Sequence, residues 1–252
     1  MAVQTGQGDP GRTLALLWGK VATPKRGPRH AIGSDEVIAA AVGIADADGL
    51  EAVTMRAVGN ELGRTAMSLY TYVLSRDVMV DLMYDSVHAE VGEVKSGASW
   101  QKAITRWCVQ LRELYLRHPW LLDVSSARPV LGPREQEVLE SLLRILATAS
   151  LPLKDRPAAT SALFSVVRGA ARQAVEARSA VTEADAEWWA ARGQALAEAA
   201  PDFAERFPES TAIAAQQRKG GGQPWIRAAD QAFTGAVGLL VDGIGQRVAV
   251  KG

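Results

Sequence analysis

The stretch from Thr54 to Tyr72, TMRAVGNELGRTAMSLYTY, constrains the fold of this chain more than any other segment. Val58 and Leu62, four residues apart, give a first helix one apolar face. Gly63 stands where this helix must end and the chain must turn, because glycine accepts positive φ at little cost. The spacing predicts a helix, a tight turn and a second short helix, which is the shape of a helix-turn-helix that reads the major groove of DNA. The alternative is an ordinary helical hairpin in an all-α domain.

The residues around this turn have the types that such a unit needs. Thr54 is a candidate N-cap, because its hydroxyl can accept from the free amides of the first turn. Gly59 has no side chain and lets the second helix cross closely. That helix begins near Thr65, and Leu69 and Val73 form its inward face. The polar side chains that remain for the outward face are Thr65, Ser68, Thr71 and Tyr72.

Three pieces of the chain match a known family: SDEVIAAAVGIADADGLEAVTMRAVGNELG, AMSLYTYV and SRDVMVDLM. Gly49 closes a first helix ahead of the motif, Leu69-Tyr70 is a Leu-Tyr pair inside the second helix of the motif, and Arg76 opens the next helix. On these residues the run from Ser34 to Asp85 resembles the N-terminal DNA-binding domain of the tetracycline-repressor (TetR) family. Arg64 departs from the pattern, since the family has a small apolar residue there. The aliphatic stem of Arg64 can cover the gap while its guanidinium reaches a phosphate; a looser turn is the alternative.

The two ends of the chain resemble an actinobacterial-type subgroup of this family. LLWGKVATPKRGPRHAIGSDEVIAAAV is similar to its amino-terminal extension, and QAFTGAVGLLVDGIGQRV is similar to its last helix. The resemblance and the helical periodicity together predict an all-α fold. Residues 1–30 are then a basic extension, 31–78 a helix-turn-helix domain joined to the rest by helix four over 75–94, and 95–252 a ligand-binding and dimerisation domain.

Charge is distributed unevenly along the 252 residues, although 28 Lys and Arg balance 28 Asp and Glu overall. From Arg12 to His30 there are five basic residues and no acid. Such a segment favours contact with phosphates even in a neutral protein. The alternative is a solvated tail. Apolar residues Leu14, Leu16, Leu17 and Trp18 in the same extension are suited to docking on the body or on DNA.

The compartment follows from cysteine content and hydropathy. Cys108 is the only cysteine, which excludes an intrachain disulfide and favours a reducing compartment. It lies in an apolar helical pattern, where a buried, inert thiol is expected. The polar start MAVQTGQGDP is unlike a signal peptide, and runs such as Ala236 to Val241 are far shorter than the ~18 residues that span a bilayer. The sequence predicts a soluble, cytoplasmic protein without membrane contact.

Helical periodicity continues through most of the chain. The predicted helices cover about 34–47 with Ser34 as N-cap, 75–94, 99–118, 133–149, 157–180, a helix from 182 and a final helix over 225–248. The segment 200–224, with three prolines and RKGGGQ, is predicted to be the least ordered. The helix over 99–118 should bury Trp100, Ile104, Trp107, Leu111, Leu114 and Tyr115.

The final helix combines an apolar stripe with four interior glycines. The stripe consists of Ala229, Phe233, Val237, Leu240, Ile244 and Val248, and the glycines are Gly235, Gly238, Gly243 and Gly245. Each interior glycine costs roughly 1 kcal/mol relative to alanine, and close approach of another helix compensates for that cost. A symmetric two-fold interface is one place for such an approach; packing within the protomer is the alternative. The family resemblance implies a homodimer through a four-helix bundle, here formed by about 158–178 and 225–248.

Catalytic and metal-binding patterns are missing from the sequence. The histidines, His30, His88 and His118, are far apart and lack HExxH or other metal spacing. No GxSxG, GxxxxGK[ST] or strand-borne GxGxxG is present, and Gly220–Gly222 has no adjoining strand. We therefore expect no enzyme activity, no metal and no cofactor.

The resemblance implies roles in DNA binding for named side chains. Arg56 matches a family position that reaches a base, and the O6 and N7 of guanine suit its fork. Thr65 and Ser68 are candidates for base edges, while Ala66 and Met67 can pack on thymine methyls. The predicted phosphate contacts are Tyr70, Thr71 and Tyr72, with Thr54 and Arg76 as further anchors. Lys25, Arg26 and Arg29 are predicted to add an arm along the backbone or into the minor groove.

The C-terminal region is rich in aromatic residues for a helical domain. Aromatic walls with a few polar groups form pockets for apolar ligands, and the candidate pocket residues are Trp107, Tyr115, Trp120, Phe164, Trp188 and Trp189. Arg168 and Arg172 share one helix face and can meet an anionic ligand; a solvated or ion-paired face is the alternative. A core position is the alternative for each aromatic residue.

These expectations combine into a hypothesis: a homodimeric, ligand-responsive transcriptional repressor that binds a palindromic double-stranded DNA operator. A small-molecule effector that favours a wider-spaced dimer would lower its DNA affinity. The alternative from another class is an all-α protein-interaction module that does not bind DNA. A DNA-binding activator, or one that senses no ligand, also fits, and an enzyme is a distant third hypothesis.

Overall fold

The computed structural model describes residues 9–20, 32–94, 99–125, 127–179, 183–218 and 224–249. The predicted all-α class is confirmed, because the elements of this part are helical. They are α1 (Pro10–Leu17), α2 (Ser34–Asp48), α3 (Met55–Glu61), α4 (Ala66–Leu69), α5 (Arg76–His88), α6 (Trp100–Arg117), α7 (Pro133–Thr148), α8 (Arg156–Ser179), α9 (Glu183–Ala199), α10 (Phe203–Arg206), α11 (Pro208–Arg218) and α12 (Pro224–Ala249). Short 3₁₀ turns cover Leu50–Ala52, Pro119–Asp123 and Leu153–Asp155. Within the described residues, none of the helices is long and apolar enough to cross a membrane.

Helices α2 to α5 form the N-terminal unit around a shared apolar core. Helix α2 packs against α3 and α5. Its end is set by Gly49, whose φ of 84° is the positive value that glycine accepts readily. The predicted cap at Ser34 is wrong by one residue. Gly33 is the N-cap, and its amide donates to the carboxylate of Glu36 at 3.2 Å, so Ser34 is already helical.

Helix α5 is shorter than the predicted span of 75–94. Ser75 caps it through a 3.2 Å hydrogen bond from the amide of Val78, and the helix ends at His88. The following amides of Ala89, Glu90 and Val91 each bond three residues back instead of four, which tightens the last turn. Gly92 then follows and the chain leaves the helix.

The C-terminal helices pack around α6 and α8. Helix α6 buries Ile104, Leu111 and Leu114 as predicted, and Trp100 is half-buried. Cys108 is a free thiol that is buried as predicted, and burial raises its pKa to about 12. Helix α12 lies along α8 and also contacts α6.

Two helices occupy most of the segment that was predicted to be least ordered. Helices α10 and α11 lie between residues 203 and 218, so the expectation for 200–224 is wrong over this part. Pro208 is the first residue of α11, where the missing amide hydrogen costs no hydrogen bond. Gly220–Gly222 lie outside the described residues.

The N-terminal extension contains a docked helix. Asp9 caps α1 by accepting from the amide of Arg12 at 2.8 Å, and Pro10 occupies the first helical position. Thr13 and Leu17 are buried, which confirms that an apolar residue of the extension docks on the body. Trp18 follows, and its indole Nε1 donates to the carbonyl of Leu131 at 3.0 Å. Lys25, Arg26 and Arg29 lie outside the described residues.

Candidate nucleic-acid interface

The helix-turn-helix is built by local hydrogen bonds at both of its caps. The hydroxyl of Thr54 accepts from the amide of Ala57 at 3.0 Å, so the predicted cap is confirmed. Gly63 has a φ of 63°, and the amide of Arg64 then donates to the carbonyl of Gly59 at 2.8 Å. Thr65 caps α4 by accepting from the amide of Ser68 at 3.4 Å.

Gly59 allows the two helices of the motif to approach each other. A Cβ placed on Gly59 would lie 2.8 Å from the carbonyl oxygen of Arg64 and 3.2 Å from the amide nitrogen of Ala66. Both atoms belong to the backbone, so a rotamer change cannot relieve the clash. The close crossing that the sequence predicted therefore depends on this glycine.

One face of the motif presents polar and apolar side chains to solvent. Met67 is 77% exposed, although it is a large apolar residue on the short helix α4. The other exposed members are Thr54, Arg56, Arg64, Thr65, Ser68, Tyr70 and Thr71. Ala66 and Tyr72 are half-buried and pack against the core, while Leu69 and Val73 are fully buried. The structure thus leaves Thr65, Met67 and Ser68, three of the predicted base readers, exposed to solvent.

The two hydroxyls on α4 are left with different hydrogen-bonding capacity. The hydroxyl of Ser68 donates to the carbonyl of Thr65 at 2.7 Å, so its oxygen can only accept from a further partner. The hydroxyl oxygen of Thr65 accepts from the amide of Ser68, and its hydrogen can be donated. This pair offers one donor and one acceptor side by side.

Arg76 ties helix α5 to the loop that precedes the motif. Its Nε donates to the carbonyl of Val53 at 2.7 Å and its Nη2 to the carbonyl of Leu50 at 2.8 Å. Half-buried Arg76 therefore closes the 3₁₀ turn at Leu50–Ala52 against α5. Its contact with phosphate stays a prediction.

A histidine that sequence reasoning left without a role joins the two parts of the chain. His118 is buried, its Nδ1 lies 2.7 Å from Oδ1 of Asp46 on α2, and its Nε2 lies 3.1 Å from Oε1 of Glu90. Trp120 donates from its indole to the same Asp46 oxygen at 2.8 Å. Asp46 is 72 residues from His118 in the chain, so no local sequence pattern could predict this contact.

Asp85 forms a second junction between α5 and the C-terminal helices. Its Oδ1 accepts from the amides of Arg134 and Glu135 at 2.9 Å each and so caps the first turn of α7. A Cβ on Gly132 would lie 2.1 Å from the same oxygen, so a glycine is needed beside this cap. Burial raises the pKa of Asp85, an effect that the two amide hydrogen bonds oppose.

The aromatic residues predicted to contact an effector form part of the core. Trp107 is fully buried, donates to the carbonyl of Val138 at 3.1 Å and meets the ring of Phe164 edge to face at 4.9 Å. Tyr115 and Trp120 are also buried. The core alternative holds for these residues in this conformation, and effector contact by them stays a prediction.

The remaining predicted effector residues lie in two separate places. Arg168 donates to the carbonyls of Leu121, Leu122 and Val124 at 2.6 to 3.2 Å, which commits its guanidinium to the 3₁₀ turn after α6. Trp188 lies on α9, is 53% exposed and meets Trp189 edge to face at 5.0 Å. The structure does not bring Trp188 together with Arg168 and the buried aromatic residues.

A cavity of about 1010 Å³ lies elsewhere, on the side of α7 that faces the N-terminal extension. Trp18, His88, the turn over 91–94 and one face of α7 line it. None of these residues was predicted as an effector contact, because Trp18 and α7 meet only in the folded chain. No group of three His, Cys, Asp or Glu side chains among the described residues could hold a metal ion.

Helix α12 has one face in the core and another that is open. Four residues of the predicted stripe are buried within the protomer: Ala229, Phe233, Val237 and Ile244. The stripe therefore packs inside the protomer, which was the alternative to an interface. On the other face, a Cβ placed on Gly235, Gly238 or Gly243 would meet no atom within 4 Å. Leu239 on this face is 77% exposed.

Comparison with known proteins agrees with this architecture. Residues 94–248 match the family described as Tetracyclin repressor-like, C-terminal domain. The HTH-type transcriptional repressor DrrR1 of Streptomyces coeruleorubidus is 39% identical over 199 residues, which are 75% of this chain and 72% of that protein. Apo ActR from Streptomyces coelicolor superposes with a TM-score of 0.71 at 23% identity, over 88% of this chain and 98% of ActR.

The same regulator has also been solved with a ligand. ActR in complex with actinorhodin superposes with a TM-score of 0.70 at 25% identity, over 85% of this chain and 96% of that one. The fold, the family match and the identity to DrrR1 lead to one conclusion. The chain belongs to the TetR family of transcriptional regulators.

Proposed function

We propose that this protein is a cytoplasmic, homodimeric repressor that binds a palindromic operator and releases it when a small-molecule effector binds. The observation that carries the proposal is the exposed face of the helix-turn-helix, where Met67 stands 77% exposed beside Thr65 and Ser68. A large apolar side chain on an otherwise polar protrusion needs a partner surface, and thymine methyls in the major groove supply one.

The side chains of this face divide into base readers and phosphate anchors. Arg56 on α3 is exposed and has the fork that pairs with the O6 and N7 of guanine. Thr65 offers a donor and Ser68 an acceptor to base edges, and Ala66 flanks Met67. The proposed phosphate contacts are Thr54, Arg64, Tyr70, Thr71, Tyr72 and Arg76. Lys25, Arg26 and Arg29 form the proposed arm.

The open face of α12 supports the homodimer. Gly235, Gly238 and Gly243 leave room for a second helix, and the exposed Leu239 supplies apolar surface beside them. Helix α8 has a comparable position at Gly169, where an added Cβ would also meet no atom within 4 Å. Two-fold pairing of α8 and α12 makes a four-helix bundle and places two copies of α4 for two half-sites.

Effector control follows from differential affinity. The C-terminal region is similar to that of ActR, which has been solved with actinorhodin, and a ligand that binds one dimer spacing better shifts the population toward it. His118 and Asp85 connect the N-terminal unit to α6 and α7, so movement of these helices is transmitted to α2 and α5. The coupling free energy in such systems is typically ~1–3 kcal/mol.

The first experiment is selection of bound sequences from random duplex DNA by the full chain. An enriched palindrome with half-sites one helical turn or a multiple apart is the expected result. The logarithm of the affinity for the selected duplex should then fall linearly with the logarithm of salt concentration. An all-α protein-interaction module would enrich no sequence and show no such salt dependence.

Side-chain roles are tested on the selected duplex by gel shift. Arg56→Ala should weaken binding by one decade or more, since a bidentate base contact contributes about 1–3 kcal/mol. Tyr70→Phe should weaken it by less, because it removes one hydroxyl. Arg206→Ala, an exposed arginine on α10, is the matched control and should bind like the parent. Unchanged affinity of both test variants would refute the groove assignment.

A further inference from the structure

The geometry points to the cavity between α7, the turn over 91–94 and Trp18 as the effector site, and to a cation with a flat apolar body as its ligand class. This inference rests on the proposed function in calling the ligand an effector. Ligand binding at the site does not depend on DNA. The cavity volume of about 1010 Å³ is at the upper end of sites that hold drug-sized ligands. It therefore has room for several fused rings.

A buried polar group of the cavity wall is the imidazole of His88. His88 is only 3% exposed and lines the cavity at the end of α5. Its Nδ1 lies 2.6 Å from the carbonyl oxygen of Tyr84, so Nδ1 must carry the hydrogen and donate it. The ring nitrogen Nε2 is then an acceptor. Burial lowers the pKa of His88 to about 4, which keeps this acceptor unprotonated at neutral pH.

The charged side chains that line the cavity favour a positive ligand. They are three carboxylates, Glu93, Glu137 and Glu140, and one guanidinium, Arg144, which leaves a formal charge of −2. Glu140 accepts from Arg144 at 3.1 Å, and Glu137 accepts from Arg134 at 3.0 Å. Both ion pairs are exposed to solvent, and exposed ion pairs contribute little to stability. These carboxylates can therefore rotate toward a bound ammonium group. An anion would meet the opposite potential.

Trp18 supplies the aromatic wall. Its ring is 50% exposed and lines the cavity, while its indole nitrogen is held on the carbonyl of Leu131. A fixed, half-exposed indole offers one π face to a flat ring or to a cation, and tryptophan is the strongest cation–π partner. Trp18 lies just ahead of the basic residues of the extension, so a ligand on its ring would contact the segment that leads to the proposed DNA-binding arm.

Three fluorescent probes that share one ring system test the ligand class on the full chain without DNA. They are 9-(aminomethyl)anthracene, which is a cation at pH 7, the uncharged 9-anthracenemethanol and the anionic anthracene-9-carboxylate. Fluorescence anisotropy should give affinity in the order cation, neutral molecule, anion, with at least a fivefold step from the cation to the neutral probe. Equal affinities, a preference for the anion or no measurable binding of the cation would each overturn the proposal.

Variants then assign the binding to this cavity. Trp18→Ala should weaken binding of the cationic probe at least fivefold. Trp18→Phe keeps an aromatic wall and should retain most of the affinity. Glu137→Gln should reduce the preference for the cation over the neutral probe. Phe207→Ala is the control, since Phe207 is an aromatic residue of similar exposure that lies between α10 and α11, outside the cavity. Loss of binding in Phe207→Ala together with parental binding in Trp18→Ala would overturn the assignment.

The two proposals fail independently in this design. Probe binding in the predicted order by a chain that selects no duplex would retain the cationic site and refute the regulator. Conversely, operator binding without any probe preference would retain the regulator and refute the cationic site.

Discussion

The imidazole Nδ1 of His118 lies 2.7 Å from Oδ1 of Asp46, so the end of α6 is hydrogen-bonded to α2, the first helix of the N-terminal unit. The other ring nitrogen faces Glu90, which follows α5. Both ring nitrogens thus lie within hydrogen-bond distance of a carboxylate oxygen. This single side chain therefore holds α2 and the end of α5 against the C-terminal helices.

Replacement of His118 by asparagine should destabilise the protein and uncouple this contact. Asparagine is too short to reach both carboxylates, and unpaired buried polar groups cost about 1–3 kcal/mol. Denaturant unfolding of His118→Asn, Asp46→Asn and the double variant measures the pair. We expect the two effects to be non-additive by at least ~0.5 kcal/mol. Strict additivity would show that the two residues act separately.

Gly59→Ala should disrupt the helix-turn-helix. The added Cβ would lie 2.8 Å from the carbonyl oxygen of Arg64, so the turn must open, at a cost of about 1–3 kcal/mol. Urea unfolding and operator affinity should both decline. Gly43→Ala is the matched control, because Gly43 is exposed in α2 and its Cβ would meet no atom within 4 Å. That variant should gain about 0.5–1 kcal/mol of stability, and a similar effect of both substitutions would contradict the close crossing.

His88 predicts how stability depends on pH. Burial lowers its pKa from 6.5 to about 4. Between these values the unfolded chain binds a proton at this position and the folded chain does not, so stability should fall as the pH falls from 6.5 to 4. The full contribution is about 3 kcal/mol, at 1.36 kcal/mol per pH unit.

His88→Gln isolates this effect, since glutamine stays uncharged across the range and can still donate to the carbonyl of Tyr84. The unfolding free energies of the parent and the variant should differ less at pH 4 than at pH 7. Burial raises the pKa of Asp85 and of Glu135, which favours folding as the pH falls. Both carboxyls are present in both proteins, so the comparison removes their contribution. Parallel pH profiles would contradict the buried neutral imidazole.

Leu239→Lys should weaken the dimer. Leu239 is 77% exposed in the protomer, beside the open glycines of α12, and burial of an unpaired ammonium in an interface costs several kcal/mol. Sedimentation equilibrium should show at least a tenfold rise in the dissociation constant. Leu153→Lys is the control, since Leu153 is 76% exposed but lies in the turn before α8. An unchanged dimer in Leu239→Lys would exclude this face of α12 as the interface.

Local sequence was enough to define the helix-turn-helix. Thr54, Gly59 and Gly63 act within a few residues of their own positions, through a cap, a close crossing and a positive φ. The spacing of these residues predicts the cap, the crossing and the turn, and the structure contains all three features. The docking of the extension was foreseen only as a possibility for its apolar residues, because a short amphipathic segment does not specify its partner.

Long-range packing decided the rest. Trp107 and Trp188 are the same residue type in similar helical patterns, yet one is fully buried and the other is 53% exposed. The apolar stripe of α12 was visible in the sequence, but whether it packs inside the protomer depended on where α8 and α6 lie. Likewise the contact of His118 with Asp46 and the cavity beside Trp18 join residues that are far apart in the chain. Helical periodicity and caps arise from backbone geometry within one or two turns, so they can be predicted from the sequence. The partner of a side chain is decided only when helices pack, so it required the tertiary structure.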